Sequence, residues 1–214
     1  MPAVPNDHGS SRKTSGRTGR FLGRALAWRA PDRAHAVVAW GLVAGAAWLA
    51  AGLPGDPVWP EVALAGLYLV IVLAAICAID ARYGIIPDSL VAALVAGGLL
   101  QTWLAGQTGL LERGLEAIAV LAAAALFRAS YRWIRGFDGL GFGDVKFAAA
   151  ATLWIGLQGV PVLLLTAVLS AVISLLIMRA DGHDLGGQQA ISFGPHLAVG
   201  LWLTWVAGPL QFGA

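Results

Sequence analysis

One cysteine, Cys77, in 214 residues excludes an internal disulfide and any zinc site built from several thiolates, and leaves packing as its expected role. Histidine is scarce too. His8, His35, His183 and His196 are too scattered for a metal cluster and no HExxH occurs, so neither a metal nor another cofactor is expected. Charge is thin throughout: charged residues make up 12% of the chain against 58% hydrophobic, and the mean hydropathy of +0.73 lies far above that of an ordinary soluble domain. No repeat of solenoid period is present. The glycine-spaced "GLGFGD" has neither Walker nor dinucleotide spacing and follows no strand, which removes the phosphate-loop reading.

What the chain does have is apolar length. Runs suited to crossing a bilayer, which takes about 20 helical residues, cover 36–53, 60–80, 88–106, 115–134, 159–178 and 194–212, and a shorter one covers 144–157. They lack the alternation of a barrel strand, and a backbone in lipid must satisfy its own polar groups, so helices are expected. The expected fold is all-α: a polytopic membrane bundle of about seven transmembrane helices. Residues 1–35, rich in Ser, Gly, Arg and Pro, read as a disordered basic cytoplasmic arm. Residues 36–58 read as an amino-terminal transmembrane helix, retained as an anchor, and 59–214 as the main membrane domain. Glycine and alanine runs such as "GLVAG" and "AAAA" suit close helix packing, and Trp59, Trp103, Trp133 and Trp154 near span ends suit interfacial anchoring.

Orientation follows from the basic residues. Seven precede the first span, and with that end inside, strict alternation brings Arg82, Arg128, Arg132, Arg135, Lys146 and Arg179 to the same side. Only Arg113 of the 14 basic residues is then left outside. The net charge of +2 is thus a topology signal that needs no nucleic-acid partner.

Ionisable groups at membrane depth are costly, so each is a functional candidate. Asp80 ends the uncharged run "LYLVIVLAAICAID", and Asp144 opens the short run behind "GFG". Two crossings separate them, which returns the chain to the side it left and puts both carboxylates at the cytoplasmic end. Asp88, beside Pro87, suits the first turn of a helix, where the helix dipole favours an acid. Asp138 suits a solvated turn, and Asp144 taken alone also suits a helix cap. Two facing carboxylates resist ionising together, so one keeps its proton. The charged one can then take a proton from water attacking an amide while the other donates to the carbonyl oxygen. The same pair can instead relay protons in a transporter.

"AIDARYGIIPD" (78–88), "GFGDVKFAAAATLWIG" (141–156) and "ISFGPHLAVG" (191–200) resemble, in order and spacing, three signature stretches of the type IV prepilin peptidases, members of the GxGD aspartyl proteases. The resemblance runs from about 60 to 212 and implies a six-helix peptidase core. It implies that Asp80 and Asp144 are a catalytic pair that removes the basic leader of a prepilin or pseudopilin at the cytoplasmic face of the inner membrane. Lys146 matches the family's lysine; its charge would support a carboxylate at Asp144, or it anchors the helix at the interface. Gly141 and Gly143 would let the loop approach the substrate backbone, and Phe193, Gly194 and Pro195 match a closing motif read as packing around the site. Larger relatives carry paired cysteines and also N-methylate the new terminus with S-adenosylmethionine. The single cysteine and basic arm give no support for that second activity. His196 stands where the family has an apolar or aromatic residue, and no catalytic role is expected for it. Partners are therefore a prepilin-type substrate and the lipid bilayer.

The charge partition yields a test of topology. A reporter fused after Ala214 should be active on the periplasmic side; activity confined to the cytoplasm would overturn the seven-span arrangement.

Overall fold

The structure is a computed structural model and describes residues 59–104, 109–136, 139–180 and 192–207. The arm at 1–35, the helix expected at 36–58, and Asp138, Asp181 and Asp184 lie outside the described residues. Among the described residues the regular structure is entirely helical: α1 Trp59–Tyr83, α2 Asp88–Leu104, α3 Leu110–Arg135, α4 Phe142–Ala180 and α5 Gly194–Ala207. Within these, Val62–Tyr83 and Phe142–Ala180 are long and apolar enough to cross a membrane, and α2 is a shorter apolar helix.

The separate runs expected at 144–157 and 159–178 are parts of one element, α4, broken at Gly156, where φ 70 and ψ 171 leave the helical region. Contacts on either side show that the chain reverses there. Before the break, Lys146 meets Asp88 at the start of α2, and Trp154 donates its Nε1–H to Leu94 O at 2.8 Å farther along α2. After the break, Leu163 lies against Gly200, and Ser170 meets His196 near the start of α5. The first arm therefore runs away from the end that holds Asp144, and the second runs back to it. Such a conformation is open to glycine and strained for any other residue. The break also frees a backbone amide: Leu157 donates its N–H to Glu116 Oε2 at 3.1 Å, and Arg113 pairs with the same carboxylate oxygen at 3.2 Å. Two charged residues of α3 thus satisfy the turn at the end of the bundle opposite Asp144.

Burial follows helical periodicity. On α1, Leu69, Val72, Leu73, Ile76 and Asp80 face inward, while Leu64, Leu67 and Ile71 face out. On the second arm of α4, Gly159, Leu163, Ala167 and Ser174 form the inner stripe and Leu165, Leu169, Ile173 and Leu176 the outer one. The buried set also holds Thr102, Thr152, His196 and Thr204. Apolar outside with polar groups inside is the polarity of a protein solvated by lipid. The threonines are satisfied by their own helices, as Thr152 Oγ1 donates to Ala148 O at 2.9 Å and Thr204 Oγ1 to Gly200 O at 2.7 Å.

α4 packs against α2, α3 and α5, and the close approach of its first arm to α2 depends on glycine. A Cβ at Gly98 would lie 2.7 Å from the Cβ of Leu153, too near to be accommodated. Trp154 corrects an expectation here. It is 6% exposed, stacked on Tyr68 at 6.3 Å and bonded to α2, so it is a core residue and not an interfacial anchor. Trp103 and Trp133 are exposed as anchors would be; the side chain of Trp59 lies outside the described set.

Replacing Gly156 by alanine would force a side chain into a left-handed, extended conformation and against the Arg113 guanidinium. Gly156→Ala should lower the unfolding free energy by about 1–3 kcal/mol, read as a lower thermal midpoint in detergent micelles. An unchanged midpoint would mean that the chain reverses some other way.

Candidate active site

Asp80 reaches the interior because it continues the inward stripe of α1, one turn beyond Ile76, and it is 5% exposed. The helix ends just after it. Gly84, at φ 67, takes the left-handed position and donates its N–H to Asp80 O at 2.7 Å, closing α1. The connection Gly84–Pro87 then folds back, with Ile86 buried against the first turn of α4.

Asp144 sits in the first turn of α4, half-buried, with the backbone of Gly141 hydrogen-bonded to its carboxylate. That is the backward reach of an acid at the third helical position toward the capping residue. Asp144 is therefore not itself the cap that its sequence setting taken alone suggests: Gly141 holds that position, and Asp144 stands at the third helical one. The carboxylate also lies close enough to Asp80 to interact with it electrostatically. Two aspartates separated by 64 positions in the chain are thus neighbours at one end of the bundle.

The loop that delivers Asp144 is tied down from α3. Gly136 caps α3 in the left-handed conformation, and Arg128 Nε donates to Leu140 O at 3.0 Å with its guanidinium over the Phe142 ring.

The two glycines of the loop work inside the protein. A Cβ on Gly143 would come within 3.2 Å of Ile86 Cβ, and one on Gly141 within 3.0 Å of Asp144 Oδ2. Their smallness makes room for the 84–87 connection and the Asp144 carboxylate. Lys146 is placed differently from expectation. Its Nζ bonds Asp88 Oδ1 at 2.7 Å and lies 4.8 Å from the centre of the Phe142 ring, so its charge is directed to Asp88. Asp88 does open α2, but its carboxylate takes Lys146 and joins the starts of α2 and α4.

The third segment closes the site. Phe193 caps α5 through its carbonyl, and Pro195 falls in the first turn, where its missing N–H is no loss. Gly194 does more than pack: its N–H donates to Asp80 Oδ2 at 2.9 Å. Ser192 Oγ donates to the same oxygen. Ser192 escaped the sequence reading, where the only signal was a hydroxyl two residues before a helix-starting Gly-Pro in an apolar stretch. His196 is buried and shares a 2.9 Å hydrogen bond with Ser170 Oγ, the polar partner that its unusual position requires. Among the described residues no cluster of three or more His, Cys, Asp or Glu could hold a metal ion.

A helical bundle that has two helices long and apolar enough to cross a membrane, and two aspartates close enough at one end to interact electrostatically, is the class these features define among the described residues. The type IV leader peptidase family model matches residues 67–177, and the chain belongs to that family. It is 35% identical over 179 residues to the prepilin leader peptidase/N-methyltransferase of Dickeya chrysanthemi, covering 83% of this chain and 59% of that protein. It is 34% identical over 147 residues to the protein of the same name from Aeromonas salmonicida (strain A449), covering 68% and 50%. For the one from Neisseria gonorrhoeae the identity is 32% over 150 residues, covering 70% and 50%. The chain spans about half the length of the curated relatives it matches. No solved structure matches it with significance.

The Lys146–Asp88 pair joins two segments that flank the aspartates, with Asp88 largely exposed and Lys146 partly so. A double-mutant cycle of Asp88→Asn and Lys146→Met on thermal stability should give a coupling of about 0.2–1 kcal/mol. The exchange Asp88→Lys with Lys146→Asp should recover most of the loss. Strict additivity of the single variants would remove the pair from the account.

Proposed function

We propose that the chain is a membrane-embedded aspartyl endopeptidase that removes the leader of type IV prepilins or pseudopilins at the cytoplasmic face of the inner membrane. The observation that carries this reading is the approach of Asp80 to Asp144 at one end of the bundle, within a member of the leader peptidase family. Two carboxylates close enough to repel each other share a proton more readily than both ionise. In the proposed reaction the charged carboxylate accepts a proton from water as the oxygen attacks the scissile carbonyl. The protonated partner donates to the carbonyl oxygen; as the tetrahedral species collapses, the first carboxyl passes its new proton to the amide nitrogen and the second recovers one from a hydroxyl, so the C–N bond breaks to a leader ending in a carboxylic acid and a free amine.

The seven-span topology belongs to the same proposal, with the amino end inside.

The relatives' names couple leader cleavage with N-methyl transfer. The expected absence of that second activity therefore draws no support from them, and the proposal is confined to cleavage. The proton-relay alternative has no comparable support, because the acids lie at one end of the bundle and not near its middle, where transporters bind substrate and coupling ions.

Coexpression with candidate prepilins, read as a gel shift on leader loss, tests the proposal. Asp80→Asn and Asp144→Asn keep nearly the same shape but remove the shared titration, so each should abolish processing while membrane-inserted protein accumulates normally. Cys77→Ala should process at close to the parental rate. Normal processing by Asp144→Asn would reduce that residue to its capping role and end the assignment.

A further inference from the structure

Asp80 presents its two carboxylate oxygens to different surroundings. Oδ2 accepts from the Ser192 hydroxyl and, at 2.9 Å, from the Gly194 amide. A carboxylate oxygen has two in-plane lone pairs, and two donors fill them. What remains for water or for a proton shared with Asp144 is Oδ1. Rotation of the Asp80 carboxylate about χ2 is thereby restrained by a segment more than a hundred residues away in the chain.

The clamp depends on the absence of a side chain at 194. A Cβ there would lie 2.5 Å from Asp80 Oδ2, 2.8 Å from its Cγ and 3.1 Å from its Cβ. Any larger residue would drive the carboxylate off the amide. The amide itself is free to donate because it lies in the first turn of α5, where helical N–H groups have no partner within the helix. Phe193 O, by accepting from His196 and Leu197, fixes the turn that aims it. A hydroxyl, a helix-terminal amide and a glycine gap therefore converge on one oxygen of one buried aspartate.

We propose that Ser192, with Gly194, sets the orientation of the Asp80 carboxylate and is a positioning residue for the cleavage reaction. The inference rests on the endopeptidase reading for its kinetic consequence, whereas the clamp itself is a property of the carboxylate and can be observed without turnover. Ser192 acts through Asp80 and need not touch the substrate. Its loss should accordingly slow the chemical step and leave substrate binding alone.

The test uses the purified full chain in detergent micelles and a synthetic peptide with a lysine-rich leader, a glycine at the cleavage position and an apolar helix. Ser192→Ala should lower kcat by about ten- to a hundredfold, the value of one hydrogen bond to a charged group, with KM within about twofold of the parent. Ser192→Thr keeps the hydroxyl and should recover most of kcat, and Gly194→Ala should lose at least as much as Ser192→Ala. In parallel, infrared difference spectra of protein carrying carboxyl-13C aspartate should show a shifted carboxyl band in Ser192→Ala that is absent in Ser192→Thr. A parental kcat in Ser192→Ala, in a preparation where Asp80→Asn is inactive, overturns the positioning role. Absence of the difference band overturns the clamp, whatever the kinetics. If the band shifts but the parent cleaves no peptide, the clamp stands and the endopeptidase reading falls.

Discussion

A carboxyl group inside an apolar helical bundle must be hydrogen-bonded, because stripping it of water without replacement costs several kcal/mol. Asp80 is in that position, and much of the arrangement around it follows. Its oxygen is met by the free amide at the start of α5, so α5 must begin beside it. Gly194 must lack a side chain for the amide to arrive, and Phe193 and Pro195 shape the turn that presents it. Asp144 solves the same problem locally by turning back onto the backbone of Gly141 at the head of α4. Two helix beginnings thus converge on the space between two carboxylates. In each case a helix terminus supplies the donors that water would otherwise provide.

The opposite end of the bundle shows the complementary solution. The reversal at Gly156 exposes a backbone amide where no helix can take it, and Glu116 accepts it with Arg113 balancing the charge. Among the described residues, Asp80, Asp88, Asp144 and Lys146 stand at one end of the bundle and Arg113 and Glu116 at the other, engaged with a helix terminus, a backbone break or an opposite charge. Between the ends, threonines turn their hydroxyls onto their own helices and glycines bring α2 against α4. The outward faces are left largely to aliphatic and aromatic side chains, such as Leu64, Ile71, Phe127 and Trp133.

Much of this was legible before any coordinates. Apolar runs at 60–80, 88–106 and 194–212 correspond to α1, α2 and α5, because a helix in lipid must be apolar over its whole length and hydropathy reports that directly. Parity of crossings between Asp80 and Asp144 put them at one end, and the contacts along α2, α3 and α4 agree with it. Less legible were the partners. Lys146 stands two residues from Asp144, yet its side chain serves Asp88 on another helix. Trp154 stands at a span end, yet it is buried and bonded to α2. Proximity along the chain does not report which way a side chain points around a helix, nor what lies opposite it.

The sequence by itself indicated where α1, α2, α3 and α5 lie and singled out Asp80 and Asp144 as charged groups in apolar runs, since each of these depends on length, hydropathy and local spacing. Tertiary structure alone decided that Gly156 reverses the chain, that Gly141 and Gly143 make room for the protein's own groups, and that Ser192 and Gly194 hold Asp80. Those relations join residues from three to more than a hundred positions apart through single atoms of contact. Only the packing of complete helices brings such atoms to hydrogen-bonding distance, and no local pattern in the chain encodes that distance.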